Sequence, residues 1–255
     1  MVHLFRGKTQ RSKEFDPGAT QVLPETMWAN ESMPSGVPPE ERVVVTITRQ
    51  FGSGGAEIGR LVAQNSGLQY LDSEIVDKVA KRLGVDSEWL AHQEQQTAGM
   101  VGHILEAIRS TNPFTVNYST LVGPPSVLTQ SLELSYLHLT QEVILELATE
   151  GNVVIIGRGA QFLLHSAPRT LHTYIFAPLP IRIDNVMKRF SLDHQQAADL
   201  IQQRDYEFDT YLRHYYGSDG HQASLYHLLI NTSLFPYELA AQFIQQALPV
   251  VKDIR

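Results

Sequence analysis

The sequence predicts an α/β fold, a five-stranded parallel sheet with helices covering both faces in three α/β/α layers. Three observations predict it. Short β-branched runs without polar alternation recur along the chain, the pattern of strands buried on both sides. Helical patterns separate them, so strand and helix alternate. Glycines cluster after the first and third runs, at Gly52, Gly54, Gly55 and at Gly157, Gly159, where strands hand over to helices.

The elements follow in order. Residues 1–41 read as a flexible tail, because five of the thirteen prolines fall there and no apolar periodicity appears. Order begins at Arg42, and Val43 to Thr48 is the first strand. Glu57 to Asn65 reads as a helix stopped near Gly67, and Leu68 to Leu71 as a second strand ending at Asp72. Ser73 can cap the next helix, Glu74 to Leu83, which Gly84 terminates. Residues 85–130 are broken by Gly99, Gly102, Pro113, Gly123, Pro124 and Pro125, and read as a helical, loop-rich insertion. Leu132 to Thr149 is a long amphipathic helix closed by Gly151. Val153 to Ile156 and Leu171 to Phe176 are the third and fourth strands. Helices cover roughly Ile181 to Phe190 and Gln195 to Tyr211, Tyr226 to Asn231 is the fifth strand, and Tyr237 to Ala247 is a closing helix.

Composition narrows the class. The 255 residues suffice for one sizeable core, and 43% hydrophobic content fits an ordinary globular protein. With no cysteine there is no disulfide scaffold, thiolate metal site or cysteine nucleophile. A net charge of −7 argues against a nucleic-acid-coating surface. The longest apolar stretches fall far short of a membrane span, and the first residues hold no signal-peptide core, so a soluble cytoplasmic protein is expected. The ten histidines form no H-x₃-H pair with a matching carboxylate, so no metal-hydrolase site is expected. Oligomeric state is not legible.

Ligands of parallel sheets sit at the carboxyl ends of the strands. The segment Arg49-Gln50-Phe51-Gly52-Ser53-Gly54-Gly55-Ala56-Glu57 lies at such an end. Glycines there let backbone amides surround an anion, helped by the helix N-terminus. The strict pattern G-x-x-x-x-G-K-[ST] is not met, since Gly55 takes the lysine position and Ala56 the hydroxyl position. A close-packed strand-to-helix turn without a ligand is the plainer reading of the loop taken alone.

The segment Ile47 to Arg60 resembles the opening of the cytidylate kinase-like family, relatives of the nucleoside monophosphate kinases with a P-loop fold. The resemblance extends through Tyr70-Leu71-Asp72, Val153 to Ala160, His172 to Arg182, Ile201 to Gly217 and Tyr226 to Ser233, covering about residues 42–250. It implies ATP-dependent phosphoryl transfer to a small acceptor, with CMP among the candidates, and it implies ATP and Mg2+ as cofactors. It makes residues 85–130 the acceptor-binding insertion and 190–220 a lid. Gly52, Ser53, Gly54 and Gly55 would cradle nucleotide phosphates, with Arg49 or Arg60 standing in for the missing lysine. Asp72 would orient the acceptor or hold magnesium through water, against a competing role in stabilising its helix N-terminus. Arg158, between two glycines after a buried strand, suits an acceptor phosphate. Arg204, Asp205 and Arg213 fall on the lid helix, where they are either phosphate-closing groups or exposed helix charges. The aromatics Tyr206, Phe208, Tyr211, Tyr215 and Tyr216 read as core or lid packing.

The departures bear on activity. Ala56 stands where the family commonly has a base, Gln161 where it often has an acid, and Phe208 where the lid helix usually holds an arginine. Loss of one transition-state arginine costs roughly 10³–10⁵ in rate in related phosphoryl-transfer systems. A nucleotide-binding protein without turnover, acting as sensor or interaction partner, is therefore the alternative, and a silent scaffold the third reading.

Overall fold

The computed structural model describes residues 42–84 and 125–253. The expected tail, residues 1–41, and the insertion up to residue 124 lie outside the described residues.

Strand β1 (Val44–Arg49), buried along its first five residues, takes the middle of the sheet. It pairs in parallel with β3 (Val153–Ile156) on one side and with β4 (Thr170–Phe176) on the other. Strand β2 (Gln69–Leu71) flanks β3 and β5 (Leu228–Asn231) flanks β4, which gives five parallel strands in the order β2-β3-β1-β4-β5. The alternation of side chains across the pleat sorts the two faces. Val45, Ile47, Val154, Ile156, Ile175 and Ile230 pack against helices α1 (Gly55–Ser66) and α7 (Tyr237–Lys252). Val44, Leu71, Val153 and Ile155 face α2 (Ser73–Leu83), α3 (Pro125–Glu150) and the single turn α4 (Ala160–Leu163). Helix α5 (Leu179–Phe190) and the long α6 (His194–Tyr216) form a satellite around Ile183, Val186, Ala197 and Ile201. This is the three-layer α/β P-loop kinase fold.

Several boundaries shift from the expected ones. Helix α2 starts at Ser73, so Asp72 and not Ser73 holds the N-cap position, and its side chain makes no capping bond. Helix α3 begins at Pro125, seven residues before Leu132, because proline fits the first helical turn. From Tyr136 on it buries Tyr136, Leu137, Thr140, Val143, Ile144 and Leu147 on one stripe, the expected amphipathic pattern. Helix α6 runs five residues past Tyr211, and a reciprocal Asp193–Gln196 capping box fixes its start. Strand β5 begins at Leu228, because Tyr226 still belongs to the end of a 3-10 turn over Ala223–Leu225. No helix among the described residues is long and apolar enough to cross a membrane.

Candidate functional site

The site is built at the carboxyl ends of β1, β2 and β3, where the chain leaves the sheet in glycine-rich turns. After Arg49 the chain bends through Gly52 (φ 81°) and Gly54 (φ 86°) into α1, which opens at Gly55 with no side-chain cap. Its first-turn amides are thus left for another acceptor. Ser53 shapes the bend from inside. Its hydroxyl donates to the carbonyls of Gln50 (2.8 Å) and Ile175 (3.2 Å), and Thr232 Oγ1 donates to its carbonyl at 2.8 Å. A side chain at Gly54 would collide with the ring of Tyr237, the first residue of α7. Asn185 Nδ2 ties the outer wall together, donating to Gly52 O (2.9 Å) and to Tyr237 Oη (3.2 Å).

Of Arg49 and Arg60, it is Arg49 whose stem runs against the loop. A Cβ built at Gly55 would fall 2.5 Å from Arg49 Cβ and 3.1 Å from its Cγ, so the Arg49 stem occupies the volume a Gly55 side chain would need. Its guanidinium continues across the sheet end to lie against Gly157. Burial pulls the Arg49 pKa down, the nearby Asp72 carboxylate opposes that, and Arg158 adds to it. Arg60, by contrast, is exposed and lies over the Tyr70 ring, 4.9 Å from its centroid. Tyr70 Oη in turn donates to Asp72 Oδ2 at 3.1 Å. Asp72 donates its own N–H to Glu74 at 3.0 Å, and its carbonyl accepts from Arg158 Nη2 at 3.2 Å. Arg49, Asp72 and Arg158 therefore converge on one corner beside the glycine loop.

Arg158 sits in an unusual turn. Gly157, Arg158 and Gly159 take φ values of 68°, 58° and 72°, three consecutive left-handed residues. Glycine adopts that conformation freely, but arginine there carries a cost of about 1–2 kcal/mol. Strain of this kind persists where surrounding contacts hold it, and Arg169, next to β4, carries it too (φ 53°).

The α6 side is organised by a residue the sequence reading passed over. Arg182 of α5 is 8% exposed, and its Nη1 donates to Asp205 Oδ2 of α6 at 2.5 Å and to the Phe51 carbonyl at 3.3 Å. Asp205 Oδ1 accepts from the Phe51 N–H at 3.1 Å. Asp205 thus ties helix α6 to the glycine loop through a buried arginine. The signal was present in the sequence, an arginine four residues after the Ala-Pro that ends the fourth strand, but only the packing shows that it turns inward.

Arg204, Arg213 and Gln161 make other contacts, whereas Phe208 shares a cavity with Arg49. Arg204 pairs with Glu207 within α6 (3.3 Å), and the exposed Arg213 pairs with Asp219 (3.3 Å). Gln161 is fully buried on α4. Phe208 lines a cavity of about 110 Å³ between β1, β4 and α6 with Thr48, Gln50, Tyr174, Asp205 and His221. There His221 bridges Tyr174 Oη (3.3 Å) and Asp209 Oδ2 (3.2 Å).

The sequence profile of the cytidylate kinase-like family matches residues 44–234. The cytidylate kinase of Pyrococcus horikoshii is 24% identical over 211 residues, covering 82% of this chain and 90% of that protein. That of Methanopyrus kandleri is 26% identical over 200 residues, covering 75% and 85%. Among solved structures, an uncharacterized protein from Eubacterium ventriosum superposes with a TM-score of 0.58 at 17% identity, over 82% of this chain and 99% of that one, a likeness of fold. The glycine loop at β1, the Gly-Arg-Gly turn at β3 and helix α6 all fall inside the matched segment, and the chain belongs to the cytidylate kinase-like family.

Proposed function

We propose that the chain transfers the γ-phosphoryl group of ATP, with Mg2+, to a small phosphate-bearing acceptor, CMP being the first candidate. The observation that carries the reading is Arg49. The loop lacks the lysine that would accompany donor phosphates, and the space of that lysine is filled by an arginine rooted one strand earlier. A positive charge is kept beside the loop although its source has moved.

The donor phosphates would lie over the loop, where the first-turn α1 amides have no side-chain cap. Magnesium, when bound, neutralises phosphate charge. Among the described residues no three His, Asp or Glu side chains gather as a metal site, so the ion would ride on the phosphates with Asp72 reaching it through water. Arg158 would bind the acceptor phosphate bidentately, opposite Arg49. Arg182 and Asp205 would hold the lid helix against the loop and exclude water. We read the chain as a soluble cytoplasmic protein working on small molecules rather than nucleic acid. The second reading, nucleotide binding without turnover, draws support from Phe208, which puts a ring in the cavity beside α6 where the family resemblance implies an arginine.

A coupled assay with ATP, Mg2+ and a panel of nucleoside monophosphates separates the two. Turnover with CMP that falls about 10³-fold in Arg158→Ala is expected. Turnover with none of the panel above the Arg158→Ala background would leave the binding protein.

A further inference from the structure

The Gly157-Arg158-Gly159 turn is held from two directions. From the sheet side, the Gly157 N–H donates to Ile47 O (2.9 Å) and the Ala160 N–H to Gly157 O (3.1 Å), which fixes the two ends of the turn. From the lid side, two tyrosines of α6 reach its centre. Tyr211 Oη donates to the Arg158 carbonyl at 3.3 Å and Tyr216 Oη donates to the same oxygen at 3.5 Å. Tyr216 also packs its ring against Gly159, where any side chain would displace it, and stacks on Phe162 with centroids 5.0 Å apart. The two tyrosine rings meet edge-on at 6.2 Å. Burial raises the pKa of both hydroxyls, so both remain protonated donors at neutral pH.

The direction of a carbonyl follows from the backbone torsions of its own residue. Two donors converging on Arg158 O therefore select the left-handed torsions that arginine would otherwise leave. They also set the direction in which its Cβ and guanidinium depart. We propose that Tyr211 and Tyr216 are positioning residues for Arg158: their hydroxyls hold the strained turn so that the guanidinium is aimed at an acceptor phosphate while the lid helix is seated. This assignment rests on the reading of Arg158 as the acceptor-phosphate arginine. It gives the tyrosines of the lid helix a task beyond packing, because the seating of α6 and the pose of Arg158 become one event. Asp205, on the same helix, ties that event to the glycine loop.

The test uses the full chain carrying Tyr211→Phe and Tyr216→Phe together, which keeps both rings and removes both hydroxyls. In the protein without ligand, hydrogen–deuterium exchange at the Gly159 and Ala160 amides is expected to speed up about tenfold, the scale of a lost hydrogen bond. Unchanged exchange there would overturn the proposal. With ATP and CMP, KM for CMP is expected to rise about tenfold while KM for ATP stays put. In an Arg158→Ala background the same two substitutions should add nothing. An equal further rise in that background would show that the hydroxyls act independently of Arg158, and would also overturn it. If CMP and the other nucleoside monophosphates give no turnover even with the unaltered chain, the phosphoryl-transfer reading fails and the exchange measurement alone decides the tyrosines.

Discussion

The latch between α6 and the glycine loop makes a prediction that can be worked through. Asp205→Ala removes the carboxylate that pairs with Arg182 and accepts from the Phe51 amide. The Arg182 side chain is 9% exposed and the Asp205 side chain 30%. Removing one partner of a buried pair leaves an uncompensated charge and typically costs 3–5 kcal/mol. Partial exposure of Asp205 lets water reach the freed guanidinium, so the lower end, about 3 kcal/mol, is expected. Replacing both partners by apolar residues of similar size, Arg182→Met with Asp205→Leu, should recover most of that loss, because no buried charge then remains. Urea unfolding of the unaltered chain and the two variants measures both differences through midpoints at unchanged slope. Activity should behave differently and stay lost in the double variant, since the apolar pair no longer holds the Phe51 amide. A loss below about 1 kcal/mol for Asp205→Ala would place the pair with ordinary surface ion pairs and refute the latch.

Two further predictions concern other parts of the fold. His172 is 2% exposed, its Nδ1 lies 2.7 Å from Thr46 Oγ1, and its ring stacks at 5.2 Å on His227. Burial and then the neighbouring His227 pull its pKa down to about 4, so protonation favours the unfolded chain. Stability that is complete above the ordinary histidine value near 6.5 should be lost as pH falls toward 4, by about 3 kcal/mol in all. His172→Gln should flatten that part of the pH–stability curve, and an unaltered curve would contradict the assignment. Gly54→Ala forces a side chain into a φ of 86° and into the Tyr237 ring. It should cost at least about 1–2 kcal/mol in thermal unfolding and weaken ATP binding; a variant as stable as the parent would show that the loop relaxes freely.

The strand pattern was readable because buried parallel strands are continuous apolar runs, and all five of the expected strands are present. Helix ends were read less well. The Asp72 and Ser73 positions at the start of α2 differ by one residue, since both are good capping types and only the backbone decides between them. In the site, glycine spacing and strand ends pointed to Arg49, Asp72 and Arg158, which do converge. Arg49 and Arg60 could not be ranked from sequence, because the ranking depends on which side chain runs under Gly55 and which lies over Tyr70. Arg182 and the hydroxyls of Tyr211 and Tyr216 were invisible for a related reason. Their partners are the Phe51 and Arg158 carbonyls, backbone groups more than 50 residues away in the chain, and no local pattern announces such contacts.

The account turns on Arg49 acting in place of the loop lysine, and calorimetric titration with ATP and Mg2+ tests that most directly. Arg49→Ala should weaken ATP binding about 10–100-fold, the worth of a charge-assisted hydrogen bond. Gly55→Lys alone should also weaken it, because the new side chain meets the Arg49 stem. The pair Arg49→Gly with Gly55→Lys removes the Arg49 Cβ, the atom a Gly55 side chain would meet at 2.5 Å, and should regain most of the affinity. ATP binding by Arg49→Ala equal to that of the unaltered chain would contradict the account.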